Sequence, residues 1–295
     1  MILAHELHRS QAGAERWMLF LHGILGRRAN WRSIARRWLE ARPGWGAVLV
    51  DLREHGNSQG FPPPHDVASA AADLRPLCAA VEAEAGGSVA GLLGHSFGGK
   101  VAVAGATGLL DEGHALEELW IIDAPMGPRT SEGESLTGEV FAALRSLPPR
   151  LDSRADFSAA LVSAGLSKPT AMWLATSAVE LPEEQGGGWR FGPQLPNLDA
   201  MVEDFARVDL WPTLEALCAR PRDDMGRSEA LRVGWVLGGR STALSASERA
   251  RAEAAAAAGR LAVEHIPEAG HWVHSEAPKQ LLAILEQPPK VGPRP

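Results

Sequence analysis

Gly94-His95-Ser96-Phe97-Gly98 is the stretch from which the rest of the chain is best read. It follows the apolar run Ser88-Val89-Ala90-Gly91-Leu92-Leu93 and leads into the small-residue segment Gly99-Lys100-Val101-Ala102-Val103-Ala104. The pattern is strand, sharp turn, helix, with a serine carried on the bend. An elbow of this kind holds its serine in a strained conformation, and glycines flank it because a side chain there would collide with the neighbouring strand or helix. Gly-x-Ser-x-Gly arises readily by chance, so the flanking strand and helix give the motif its weight.

On the N-terminal side the periodicity predicts strands over 2–8, 17–22 and 47–51, an amphipathic helix over 30–41 and a helix over 66–85. On the C-terminal side a strand over 119–123 follows the elbow helix. Regular alternation then stops: 124–215 holds Pro148-Pro149, Gly186-Gly187-Gly188 and short tryptophan-bearing helical segments, with no convincing strand. It resumes with a strand over 231–237, an alanine-rich helix over 245–258, a strand over 261–266 and a final helix over 275–286. Strands alternating with helices mean a mostly parallel sheet covered on both faces. The expected organisation is a core of 1–123 and 216–287, a helical cap of 124–215 and a loose tail of 288–295.

Composition narrows the function classes. A chain of 295 residues, 45% hydrophobic and 22% charged, buries a large core and fits one α/β domain with an insertion. Lys and Arg number 29 against 36 Asp and Glu, a net charge of −7, with no basic run interleaved with aromatics. Nucleic acid is not an expected partner. Apolar stretches such as Trp17-Met18-Leu19-Phe20-Leu21 are far shorter than the ~20 residues of a membrane-spanning helix. Met1-Ile2-Leu3-Ala4-His5-Glu6 has no basic n-region, and a cytoplasmic location is expected. Cys78 and Cys218 lack metal-ligand spacing and read as reduced, packed thiols.

A serine nucleophile needs a base, an acid to orient that base, and donors for the oxyanion. In open α/β sheets such groups gather beyond the carboxyl ends of the strands. His271, in Gly270-His271-Trp272 just after the strand 261–266, is the candidate base. His95 reads as a packing or supporting residue, His265 as structural, His274 as a helix-start residue, and His5, His8, His55, His65 and His114 as surface or packing residues. The loop after the strand following the cap, Gly238-Gly239-Arg240-Ser241-Thr242-Ala243-Leu244, contains no carboxylate. Asp123, ending the strand next after the elbow helix, is therefore the candidate acid, ahead of Glu248. Asp51 also ends a strand, with Arg53 as its expected local partner. The order Ser96, Asp123, His271 is that of the α/β-hydrolases. The oxyanion donors are expected to be the backbone N–H groups of Phe97 and of Ile24, the latter in the loop 22–26 after the third strand, braced by His22.

These residues carry a resemblance. His22-Gly23-Ile24-Leu25-Gly26 with Asn30-Trp31, Asp51-Leu52-Arg53-Glu54-His55-Gly56-Asn57-Ser58, Gly94 through Lys100, Ile122-Asp123-Ala124-Pro125 and Gly270-His271-Trp272-Val273-His274 resemble the α/β-hydrolase superfamily. More narrowly, they resemble the small acyl-esterase group of bacterial acyl-CoA-ester hydrolases and mitochondrial abhydrolases, over about residues 17 to 285. The resemblance implies an α/β-hydrolase fold, a mostly parallel sheet flanked by helices with a helical cap inserted after the sixth strand. It also implies an acid after the strand following the nucleophile helix, in agreement with Asp123. Trp189-Arg190-Phe191 and Asn197-Leu198-Asp199-Ala200 look like the group's Trp-Arg-x-Asn-Leu-Asp-Ala segment, with Gly192-Pro193-Gln194-Leu195-Pro196 inserted.

The expected activity is cleavage of a small-molecule ester or thioester through an acyl-enzyme on Ser96, with no metal and no organic cofactor. Trp173, Trp189 and Trp272, with residues near Trp211, are candidate substrate-binding positions. The alternatives on the same residues are a cofactor-free haloperoxidase, a carbon-carbon bond hydrolase, an acyltransferase and a non-catalytic small-molecule receptor. A serine at the elbow argues against the epoxide hydrolases and haloalkane dehalogenases of this fold, which use aspartate there.

Overall fold

The computed structural model describes residues 1–11, 13–129, 136–220 and 231–291. In chain order its strands are β1 (His5–Arg9), β2 (Ala14–Leu21), β3 (Gly44–Val50), β4 (Ser88–His95), β5 (Glu118–Ile122), β6 (Ala178–Glu180), β7 (Trp189–Phe191), β8 (Arg232–Gly238) and β9 (Ala262–Ile266). All but β6 and β7 share one sheet of order β1-β3-β2-β4-β5-β8-β9. Only β1 runs antiparallel to its neighbour in that sheet.

Side chains alternate across a strand, so a strand covered on both faces must be apolar at nearly every position. Trp17, Leu19 and Leu21 of β2 join one buried cluster with Leu92, Ile121 and Trp235, while Met18 and Phe20 join a second with Leu93, Trp120 and Val236. The helices are α1 (Arg32–Ala41), α2 (Val67–Ala72), α3 (Leu74–Ala85), α4 (Phe97–Asp111), α5 (Leu136–Ser146), α6 (Arg154–Ser163), α7 (Lys168–Ala175), α8 (Leu195–Arg207), α9 (Trp211–Ala219), α10 (Ala246–Ala257), α11 (Val273–Glu276) and α12 (Pro278–Leu285). Ile34 and Trp38 of α1 and Leu281 of α12 cover the second cluster; α2, α3, α4, α9 and α10 contribute to the first. Among the described residues no helix is long and apolar enough to cross a membrane.

The expected helix 66–85 is two helices meeting at Asp73. Pro76 has no N–H to give the Ala72 carbonyl, so the helical ladder breaks there. The final helix divides in the same way: α11 and α12 are separated at Ala277, because Pro278 offers nothing to the carbonyl four residues before it. Ser245 caps α10 by accepting the Glu248 N–H at 3.2 Å.

The insertion follows β5, the fifth strand of the chain rather than the sixth, and the loop 22–26 follows β2, the second rather than the third. Nor is the insertion purely helical. β6 and β7 pair antiparallel, Ala178 opposite Phe191 and Glu180 opposite Trp189. Gly186, Gly187 and Gly188, all at positive φ, turn the chain between them. Three-residue strands are too short to show alternation in sequence. Position 215 falls inside α9, whose Leu214 and Leu217 pack in the core. Of the expected cap 124–215, residues 130–135 lie outside the described residues, as do 292–295 of the expected tail.

The insertion is fastened to the core by side chains of both. Asn197 Nδ2 donates to Glu54 Oε2 at 2.8 Å, and Asp204 Oδ2 accepts the Val67 N–H at 2.9 Å. The Arg27 guanidinium donates to the Thr176 carbonyl.

Candidate active site

Parallel register brings the strand ends to one edge: His95 stands opposite Ile122, and Ile122 opposite Val236. The next residue of each strand remains anchored, Ser96 N–H on the Ile122 carbonyl at 3.0 Å and Asp123 N–H on the Val236 carbonyl at 2.8 Å. Both then turn sharply, Ser96 at φ 53° and Asp123 at φ 44°, a region that non-glycine residues seldom occupy. The elbow tolerates this because Gly94 and Gly98 leave room: a Cβ on Gly94 would overlap the Gly98 carbonyl, and one on Gly98 would press on the His22 carbonyl.

His271, on the loop between β9 and α11, bridges the other two residues. Its Nδ1 lies 2.7 Å from Asp123 Oδ2 and its Nε2 lies 3.0 Å from Ser96 Oγ. A carboxylate only accepts, so the proton sits on Nδ1 and Nε2 is left to accept the Ser96 hydroxyl proton. Asp123 is wholly buried. Its charge is matched by further donors, the Gly238 N–H at 3.0 Å on Oδ1 and the Ser241 hydroxyl on Oδ2.

Glu248 is engaged elsewhere. Its Oε1 accepts the N–H groups of Met126 at 3.0 Å and Gly127 at 2.7 Å and the Trp211 Nε1–H at 3.3 Å, which fixes the chain leaving β5. Asp51 takes Arg28, not Arg53, as its ionic partner, and accepts the N–H groups of Arg28 at 2.7 Å and Asn57 at 2.9 Å. Arg53 instead holds Asp73 through Nε at 2.6 Å and Nη2 at 3.1 Å.

The loop 22–26 lies against the serine. A Cβ on Gly23 would come within 3.1 Å of the Ser96 Cβ. Leu25 N–H goes to His55 Nε2 at 3.0 Å and Gly26 N–H to the Gly23 carbonyl at 3.0 Å, so these two loop amides are already engaged. Phe97 opens α4, and the first N–H groups of a helix have no intrahelical partner.

Two imidazoles brace that loop reciprocally. His22 Nδ1–H donates to the Gly23 carbonyl at 2.8 Å and its Nε2 accepts Leu52 N–H at 3.0 Å. His55 Nδ1–H donates to the Arg53 carbonyl at 2.8 Å while its Nε2 serves Leu25. Burial holds His22 down to about 4 and His55 down to about 3. The brace by His22 follows the sequence expectation. His55 was missed as part of it; the signal available was its place beside Asp51, at the end of the strand adjoining β2.

His95 Nε2–H donates to the His271 carbonyl at 2.8 Å, and burial keeps the ring well below the usual histidine range. Its ring lies 5.0 Å from that of His274, which in turn lies 5.0 Å from Trp31; burial lowers His274 to about 4. Trp272 stands edge-on to His271 at 5.5 Å, and Trp173 of α7 packs edge-on to Trp272 at 4.7 Å. Trp189 is not drawn into this group: its ring faces Arg154 at 4.6 Å and its backbone pairs with Leu151. Trp211 packs on Trp235 at 5.3 Å. His265 lies on β9 beside Glu253. Cys78 and Cys218 are buried, and burial raises the Cys78 thiol to about 12. Among the described residues no cluster of His, Cys, Asp and Glu could hold a metal ion.

Sheet order, a strained serine between β4 and α4, and a histidine after β9 are the arrangement of an α/β hydrolase. The chain belongs to the alpha/beta hydrolase family, whose model matches residues 18–284. It is 27% identical over 271 residues to the sn-1-specific diacylglycerol lipase ABHD11 of Mus musculus, covering 90% of this chain and 78% of that protein. The Danio rerio protein of the same name is 25% identical over 276 residues, covering 91% and 76%. In fold, the chain is similar to a marine microorganism esterase with a TM-score of 0.72, 20% identity and coverage of 96% and 97%.

Proposed function

We propose that this chain is a serine hydrolase of carboxylic esters or thioesters. The observation that carries the reading is the line from Ser96 Oγ through His271 to Asp123, at 3.0 and 2.7 Å. Ser96 Oγ attacks the carbonyl carbon as its proton passes to His271 Nε2. Asp123 stabilises the imidazolium, and the Phe97 and Ile24 N–H groups hold the oxyanion. Collapse expels the alcohol or thiol, which leaves with the proton from His271 and the acyl group on Ser96. Water, deprotonated by the same Nε2, attacks the acyl-enzyme and releases the acid and the free serine.

The likeness to proteins named as diacylglycerol lipases makes glycerolipid esters the first substrates to screen. The insertion after β5 acts as the cap. Trp272 and Trp173 line its approach to His271, with Trp189 farther out on β7.

Labelling with a fluorophosphonate probe tests the reading. The expected result is one adduct, on Ser96, absent in Ser96→Ala and strongly slowed in His271→Ala. Folded wild-type protein that takes no label would sink it.

A further inference from the structure

Lys100 lies one helical turn beyond Ser96 on α4 and is wholly buried. An ammonium has three donors, and here all go to carbonyls: Gly127 at 2.9 Å, Phe205 at 2.8 Å and Val208 at 2.7 Å. Phe205 belongs to the last turn of α8 and Val208 is its C-cap. A helix leaves its last carbonyls without intrahelical partners and carries partial negative charge at that end, so a buried cation there answers both needs. The same turn is tied by Arg129 N–H to the Ala206 carbonyl and by Leu210 N–H to the Met126 carbonyl, each at 2.8 Å. Glu248 takes the N–H of Gly127 while Lys100 takes its carbonyl, so residue 127 is gripped at both ends.

The turn that Lys100 holds carries an aromatic ring to the elbow. The ammonium sits 4.7 Å from the centroid of Phe205, whose ring meets that of Phe97 at 6.0 Å. Phe97 is the residue immediately after the candidate nucleophile. Phe205, half-buried on α8, is thus in ring contact with the residue whose backbone N–H is a candidate oxyanion donor.

We infer that Lys100 is a positioning residue that fixes the end of α8, and that through it Phe205 walls the acyl side of the site and sets the acyl length accepted. The inference rests on the serine reaction proposed above. A small change in such an apolar wall alters selectivity by about tenfold or more.

The test compares kcat/KM for p-nitrophenyl butyrate and p-nitrophenyl laurate. Phe205→Ala is expected to raise the laurate-to-butyrate ratio by about tenfold, and Phe205→Trp to lower it. Lys100→Met is expected to raise the ratio in the wild-type background and to leave it unchanged in Phe205→Ala, since residues acting through one another are not additive. Thermal melts accompany each variant. If Lys100→Met does not fold, the two Phe205 substitutions still decide the wall. An unchanged ratio in both would overturn the inference, as would a Lys100→Met shift equal in the two backgrounds. Fluorophosphonate labelling separates the two proposals: unlabelled wild type defeats the serine reading, whereas labelled variants with unaltered ratios defeat only the role of Lys100 and Phe205.

Discussion

The Ser241 hydroxyl donates to the carboxylate of Asp123. The loop after β8, which has no acidic residue, thus reaches across to the acid at the end of β5 and adds the Gly238 N–H at 3.0 Å. One strand supplies the carboxylate and its neighbour the donors that satisfy and orient it. Asp123→Asn should lower kcat by about 10⁴, because an amide can present N–H to the imidazole and impose the wrong tautomer. Glu248→Gln should keep kcat within a few-fold and lower the melting temperature, since that carboxylate holds Met126 and Gly127. Steady-state kinetics on an ester that wild type turns over, with melts of both variants, would decide; the reverse pattern would move the acid to Glu248.

Ser241→Ala removes one charged hydrogen bond from Asp123 without touching His271 or Ser96. Such bonds contribute about 1.5–3 kcal/mol, so kcat should fall by about tenfold or more with KM little altered. An unchanged kcat would mean that the Gly238 amide alone suffices to hold the carboxylate.

The paired imidazoles His22 and His55 predict the acid limb of stability. Each must stay neutral at Nε2 to accept a backbone N–H. Their folded pKa values, about 4 and about 3, lie below the unfolded value of 6.5. Between those limits the unfolded chain binds more protons, so stability is full above about pH 6.5 and falls as the pH drops toward 4. His22 alone accounts for about 3 kcal/mol of that loss. Denaturant melts from pH 7 to pH 4 should show the decline, and His22→Gln should make it shallower, His55, His95 and His274 being depressed by burial as well. A curve unchanged by that substitution would place the acid sensitivity elsewhere.

The strand-helix alternation, the elbow and the residue order Ser96, Asp123, His271 were legible because each is a local pattern attached to a strand end. The breaks at Asp73 and Ala277 were legible in principle, through Pro76 and Pro278, but apolar periodicity runs across them. β6 and β7 were hidden by their length. The partner of Asp51 was misjudged because Arg53 is near in sequence, whereas Arg28, on another loop, is near in space. The same limit hid His55 and Lys100: each serves a backbone group far away in the chain, and no spacing rule encodes such pairings.

The glycines of the elbow give the sharpest contrast within one helix. Gly98 lies at the start of α4, where an added methyl would be driven toward the Leu21 and His22 carbonyls; backbone cannot yield as a flexible side chain would. Gly108 lies near the end of the same helix, exposed and with nothing within 4 Å of the Cβ it lacks. Gly98→Ala should destabilise the fold by about 3 kcal/mol or more and abolish probe labelling, because overpacking there displaces the loop carrying Ile24. Gly108→Ala should stabilise by about 0.5–1 kcal/mol, a rise of about 2 °C in Tm, with labelling unchanged. Melting curves and labelling rates of the two variants provide the comparison. Equal melting temperatures would show that the elbow can relax, and that the loop after β2 is not held as tightly against Ser96 as its packing indicates.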